Sequence, residues 1–399
     1  MVDATVIPTM EQRIASLTAP SARSNVPPFM VMDVMAAAER IEASGGHVIH
    51  MEVGQPAAPA PRTALAAAHA ALDQARIDYT SALGLPSLRG RIARHYRETY
   101  GCDIDPGRIV ITTGSSAGFI LAFLAMFEPG DRVAVTVPGY PPYRHILTAL
   151  GCEPVLIETT AETRHALTGE ALLAAHRKTP LKGVLVASPA NPTGTMMSRA
   201  ALGDVIAAAR DAGIRFISDE IYHGLDYAFP AVTAAQLTAD ALIINSFSKY
   251  FCMTGWRVGW MVVPDALVRP IERLQQNLAI SVPTLSQIAA EAAFDGRPEM
   301  DGIKHGYQEN RRILIEGFPK AGLSRFLPAD GAFYLYADVS DFTKDSLDFA
   351  KRMLEETHVA ATPGVDFDPI HGRNFVRFSY ARSAEDMREA VARIARWLG

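Results

Sequence analysis

Apolar and polar positions repeat along the chain with two periods. Short runs rich in β-branched and aliphatic residues at 108–112, 132–137, 154–158, 183–187, 214–218 and 241–245 predict strands. Longer amphipathic stretches at 117–127, 199–212 and 266–277 predict helices between and after them. The strand runs are apolar almost throughout rather than at alternate positions, as expected for a parallel sheet covered on both faces. Residues 257–263 read as one more strand, with a helix start at Pro264. A helix is predicted near 30–44, strands near 332–337 and 374–380, and an amphipathic helix over 384–398. The pattern predicts an α/β fold with two domains. A large one spans 54–282; a smaller α+β domain combines an N-terminal arm, 1–53, with 283–399.

Composition narrows the function classes. With 399 residues, 49% of them hydrophobic and 20% charged, the chain can bury a sizeable core. Lys and Arg total 38 against 43 Asp and Glu, a formal charge of −5, so the basic excess that a nucleic-acid partner requires is missing. Cys102, Cys152 and Cys252 lie far apart with no C-x-x-C spacing, which argues against a disulfide framework and a zinc site and for a reducing, cytoplasmic compartment. No run approaches the ~18 apolar residues of a membrane span, and residues 1–23 lack the basic start and apolar run of a signal peptide. His47 and His50 are spaced for opposite faces of a strand, and no H-E-x-x-H occurs, so no metal is expected; His145, His223 and His305 read as structural or solvated.

In an open parallel sheet, ligands bind beyond the carboxyl ends of the strands. Five segments should therefore open on one edge: Gly114-Ser115-Ser116-Ala117-Gly118, Pro138-Gly139-Tyr140-Pro141-Pro142-Tyr143, Ser188-Pro189-Ala190-Asn191-Pro192-Thr193-Gly194, Asp219-Glu220-Ile221-Tyr222 and Ser246-Phe247-Ser248-Lys249. Small residues leading into a helix leave backbone N–H groups free for a phosphate, though the same residues also read as a helix start with a Ser cap. Tyr140 offers a flat aromatic face or a core tyrosine; Asn191-Pro192 offers an amide or a plain turn; Asp219 offers a carboxylate at a strand end or a helix cap. Lys249 follows a buried strand among aromatic residues, where desolvation would make its amine nucleophilic. Arg257 suits bidentate phosphate recognition. Together these residues describe a site for a phosphorylated aromatic aldehyde.

From about residue 31 onward the chain resembles the fold-type I pyridoxal-phosphate enzymes, in particular the class I/II aminotransferases of the aspartate aminotransferase superfamily. The resemblance rests on Asn191-Pro192-Thr193-Gly194, Ser218-Asp219-Glu220-Ile221-Tyr222, Ser246-Phe247-Ser248-Lys249 with Gly255-Trp256-Arg257, and Arg377-Phe378-Ser379. It implies a large domain with a mostly parallel seven-stranded sheet and pyridoxal 5'-phosphate as cofactor. Lys249 would bond the cofactor aldehyde and then shuttle protons, and Asp219 would pair with the pyridine nitrogen. Asn191 and Tyr222 would hydrogen-bond the phenolic oxygen, and Tyr140 would stack on the ring. Ser115, Ser116, Ala117, Ser246, Ser248 and Arg257 would hold the phosphate, with Tyr79 reaching in from the partner of a homodimer. Arg377, with Asn191 and Gly54, would bind the substrate carboxylate.

The implied reaction is transamination between an amino acid and a 2-oxoacid with ping-pong kinetics. A lyase or decarboxylase on the same scaffold would share Lys249, Asp219 and Arg257. A regulator would need an additional basic DNA-binding domain, for which the N-terminal arm offers no room. Some aspartate-using relatives carry a lysine where this chain has Ser116, and the arm Pro27-Pro28-Phe29-Met30-Val31-Met32 is apolar. Both features point to a neutral or hydrophobic substrate, although the arm also reads as plain inter-domain core.

Overall fold

The computed structural model describes Met10, residues 17–74 and residues 76–399. Most of the segment read for a signal peptide therefore lies outside the described residues. Twelve strands are seen among them. They are β1 (Ile49–His50), β2 (Ile109–Thr112), β3 (Arg132–Val137), β4 (Glu153–Glu158), β5 (Gly183–Ala187), β6 (Arg215–Asp219), β7 (Leu242–Ser246), β8 (Gly259–Val262), β9 (Tyr334–Asp338), β10 (Val359–Ala360), β11 (Thr362–Pro363) and β12 (Phe375–Ser379).

Seven of the strands form the main sheet in the order β2-β8-β7-β6-β5-β3-β4. All run parallel except β8, which is antiparallel to both β2 and β7. The strands are apolar throughout because both faces are buried. Val110, Val135, Leu185, Ile217 and Ile244 pack with Phe119 and Phe123 on one face, while Ile111, Val184, Phe216, Ile243 and Trp260 pack on the other. Each such fully buried side chain contributes roughly 1.5–3 kcal/mol. The helix Gly114–Met126 is apolar all round for the same reason: it lies between the sheet and the helix Asp265–Leu278.

The reversal of β8 matters for function. Gly259, its first residue, stands opposite both Thr112 and Ser246, the last residues of β2 and β7. The segment entering β8 therefore lies at the same edge as the segments leaving the parallel strands. Arg257 reaches the carboxyl edge by this route, and it precedes β8 rather than beginning it.

Strands β9, β11 and β12 make a three-stranded antiparallel sheet, and β1 pairs with β10 in parallel. The helix Thr284–Ala293 packs against the helices Arg62–Gln74 and Pro86–Tyr100, which precede the main sheet in the chain. No helix of the described residues is long and apolar enough to cross a membrane. Elements begin and end within a few residues of expectation, with one notable difference: the helix after β2 starts at Gly114, so Gly-Ser-Ser forms its first turn.

At the end of β1, His50 places Nδ1 2.8 Å from Glu52 Oε1 and Nε2 3.1 Å from Glu42 Oε1. The hydrogen bond to Glu52 raises the imidazole pKa above its ordinary value, against the opposing effect of burial. A raised folded-state pKa stabilises the protein below the ordinary value of about 6.5, and this stabilisation is lost as pH rises through the folded-state value. The melting-temperature advantage of wild type over His50→Gln should thus be larger near about pH 6 than near about pH 9. An advantage that stays constant or grows with pH in thermal scans would count against the ion pair.

Candidate active site

A cavity of about 230 Å³ opens at the carboxyl edge of the main sheet, closed on its far side by the arm and by β9 and β12. Gly54, Ser115, Ser116, Tyr140, Asn191, Asp219, Tyr222, Ser248, Lys249, Arg257 and Arg377 all line it. Of the residues expected there, Ala117, Ser246 and Tyr79 do not. Ser246 Oγ is buried 2.8 Å from Ser248 Oγ, and Tyr79 is 80% exposed.

Lys249 leaves β7 and turns its amine inward, where Nζ donates to the Gly54 carbonyl at 2.6 Å and is partly open to the cavity. Desolvation lowers its pKa to about 8; Arg377 and Arg257 add to the effect, and Asp219 opposes it. Asp219, at the end of β6 and 3% exposed, accepts hydrogen bonds from Tyr143 Oη and, at 3.0 Å, from the Ile221 amide. No helix follows it, so it is not a helix cap. Burial still pushes its carboxyl up to about 6. A carboxylate in this condition favours a further cationic N–H partner.

Arg377, from β12, is 1% exposed. Its Nη1 donates to Asn191 Oδ1 at 2.9 Å, and Nη2 donates to the Glu52 carbonyl and to Thr362 Oγ1. The guanidinium lies between two rings, 4.5 Å from the Tyr334 centroid and 4.6 Å from that of Phe367. Its Nε is buried and has no partner among the described residues.

At the other end of the cavity stands the start of the helix Gly114–Met126. The helices starting at Gly169, Arg199, Ser346 and Ala384 are each capped by the side chain before them, but Thr113 makes no such bond. The expected Ser cap is therefore absent, and the first-turn N–H groups stay available to an anion. Gly114 has φ +72°, and a Cβ there would run into the Arg257 guanidinium. Glycine thus lets the arginine close over the helix start.

Pyridoxal phosphate, the group implied by the resemblance, fits this arrangement. The uncapped helix start with Arg257, Ser115, Ser116 and Ser248 matches a phosphate. The buried Asp219 matches a ring N–H, Tyr140 and Tyr222 offer aromatic and hydroxyl contacts, and Lys249 matches an aldehyde. Among the described residues, no group of His, Cys, Asp and Glu could hold a metal ion.

Two tyrosines in the site carry no role in the sequence reading, which places Tyr143 in the loop after β3 and does not place Tyr334 in the site. Tyr143 lies three residues after Tyr140 on the helix Pro141–Ala149, so the spacing placed both on one face and was a usable signal. Tyr334 had no such signal: it meets Tyr222, 112 positions away in sequence, with the two hydroxyls 2.8 Å apart.

A family model described as aminotransferase class I and II matches residues 46–394. The valine–pyruvate aminotransferase of Mycobacterium tuberculosis is 48% identical over 380 residues, covering 94% of this chain and 97% of that one. A crystal structure of an aminotransferase from the same organism superposes with a TM-score of 0.93 at 48% identity, covering 95% of this chain and 99% of that one. The aspartate aminotransferase of Thermus thermophilus with maleate gives 0.90 at 29% identity, again covering 95% and 99%.

The lowered pKa of Lys249 makes a testable demand. Its free amine grows as pH rises through about 8, whereas an ordinary lysine requires about 10.4. Borohydride trapping of pyridoxal phosphate on the protein, read by peptide mass spectrometry, should label Lys249 with a midpoint near about 8. Labelling spread over surface lysines with a midpoint above about 10 would contradict the assignment.

Proposed function

The chain belongs to the class I and II aminotransferases, and on that premise we propose that its amino donor carries a neutral, predominantly aliphatic side chain and its acceptor is a small 2-oxoacid. The enzyme is a pyridoxal-phosphate-dependent aminotransferase of fold type I. The observation that carries the substrate proposal is a count of cations. Among the described residues lining the cavity these are Lys249, Arg257 and Arg377. In the proposed roles Lys249 serves the amino group, Arg257 the cofactor phosphate and Arg377 the substrate α-carboxylate. None is left for a second carboxylate, and the remaining wall includes Phe29, Val31, Met32, Val53 and Ile221. The names of the 48%-identical relative's substrates, valine and pyruvate, agree with this reading.

When bound, pyridoxal phosphate supplies an aldehyde that takes up the amino group and a ring that accepts the electron pair left on the substrate Cα. The protein does the rest. Arg377 would bind the α-carboxylate through its guanidinium and, with Asn191 fixed on Nη1, orient the Cα–H bond. Lys249, held at a pKa of about 8, can both take and return a proton near neutral pH. Asp219 keeps a positive charge on the ring nitrogen favourable, and Tyr143 and the Ile221 amide hold its carboxylate in place. Ser115, Ser116, Ser248 and Arg257 would hold the phosphate, with Ser246 and Ala117 as neighbours; Tyr140 would stack on the ring and Tyr222 would bond its phenolic oxygen. Donor and acceptor share one carboxylate clamp, so they bind in turn, which is a ping-pong cycle.

We also read the enzyme as a homodimer. Thr80 N donates to Ser281 Oγ and Thr284 Oγ1 to the Asp78 carbonyl, which brings Ile77 and Tyr79 close to Leu278 and Ile280, all exposed by 46% or more. Such an apolar patch suits a subunit interface, and Tyr79 would there reach the partner's phosphate site. The free thiols of Cys102, Cys152 and Cys252 suit a reducing, cytoplasmic compartment.

A panel of amino donors with pyruvate tests the substrate class. Valine or another aliphatic donor should exceed aspartate in kcat/KM by roughly a hundredfold, since a buried unpaired carboxylate costs several kcal/mol. Aspartate as the better donor would overturn the substrate proposal. Lys249→Ala should reduce the rate with every donor in the panel by at least ~1000-fold, because it removes the only lysine that lines the cavity among the described residues.

A further inference from the structure

Tyr334 has no part in the roles proposed above, yet it touches both halves of the cavity. It is 1% exposed on β9, its hydroxyl lies 2.8 Å from that of Tyr222, and its ring lies beneath the Arg377 guanidinium at 4.5 Å. The backbone of Gly54 closes over it so tightly that a Cβ on that glycine would overlap the Tyr334 hydroxyl. The same Gly54 supplies the carbonyl that holds Lys249. The hydroxyl is thus enclosed by Gly54, Tyr222 and Arg377, and Tyr222 is its hydrogen-bond partner among the described residues.

The direction of that hydrogen bond follows from proton count. A phenol has one proton to give. If Tyr222 spends its proton on the phenolic oxygen of the cofactor, the bond to Tyr334 requires Tyr222 to accept, so Tyr334 donates. The positive charge above the Tyr334 ring favours that donation, because it draws electron density from the hydroxyl. A donor chain of this kind polarises its middle member and strengthens the outer bond.

We propose that Tyr334 is a positioning residue that donates to the Tyr222 hydroxyl, fixes the direction in which Tyr222 donates to the cofactor, and is itself held in place by Arg377. The proposal rests on the role given above to Tyr222. It ties the carboxylate clamp to the cofactor's phenolic oxygen through two tyrosines, one from each side of the cavity.

The test is a pH titration of the absorbance of the bound cofactor in wild type, Tyr334→Phe, Tyr222→Phe and the double variant. Phenylalanine keeps the ring under Arg377 and removes the hydroxyl alone. Lys249, Asp219, Arg377, Arg257, Tyr140 and Tyr143 also face this region and are the same in all four proteins. A donor to the phenolic oxygen favours its deprotonated form, so weakening it should raise the midpoint. Tyr334→Phe is expected to raise it by about half a pH unit, roughly threefold in proton affinity, with KM for the donor changed less than about threefold. On the Tyr222→Phe background the same substitution should add little. A wild-type midpoint in Tyr334→Phe, while Tyr222→Phe shifts it, overturns the relay alone. Equal shifts on both backgrounds also overturn it, since Tyr334 would then act independently of Tyr222. An unmoved midpoint in Tyr222→Phe overturns the role of Tyr222 itself, and the relay with it.

Discussion

A guanidinium that is 1% exposed must find its partners inside the protein, and the demands of Arg377 organise the cavity around it. Its donors reach the Glu52 carbonyl next to β1, Asn191 after β5 and Thr362 on β11, while Tyr334 and Phe367 cover its two faces. These contacts come from parts of the chain up to 325 residues apart. None would alone offset the cost of burying the charge. Together they hold the guanidinium in the wall of the cavity with Nε still unpartnered among the described residues.

The electrostatics of the cavity follow from unequal enclosure. Three cations and one buried carboxylate line a small volume, on a chain whose formal charge is −5. Desolvation, with Arg377 and Arg257 adding to it, depresses the pKa of Lys249, while desolvation keeps Asp219 ready for a cation. A phosphate and a carboxylate would each meet an excess of positive charge, and a ring N–H would meet Asp219, the only carboxylate in the cavity lining among the described residues. Net charge therefore says little about the ligand, and the distribution of charge at one sheet edge says much.

The strands and the edge they share were legible because parallel strands covered on both faces leave near-continuous apolar runs, and because the residues beyond those runs are adjacent in sequence. Asp219, Lys249 and Tyr222 could be read that way. Tyr334 could not, since its link to Tyr222 spans 112 positions and no local pattern encodes it. The reversed direction of β8 was also hidden: its residues are as apolar as those of its parallel neighbours, and strand direction leaves no mark on burial. The reading of Gly114-Ser115-Ser116 missed that the helix begins at the glycine, because an uncapped helix start has the same composition as a capped one. What composition could not convey there was the missing hydrogen bond.

The pairing of β1 with β10 joins Ile49 to Val359, a separation of 310 residues. During synthesis the strands of the main sheet leave the ribosome before β10 exists, and domains generally fold as they emerge. The sheet edge carrying Asp219 and Lys249 can form while β1 and the segment up to Gly54 still lack their partner strand. Asp219 and Lys249 are thus synthesised well before Arg377, which lies on β12. A chain that has reached β8 but not β10 holds the sheet edge without the arginine that completes the cavity lining.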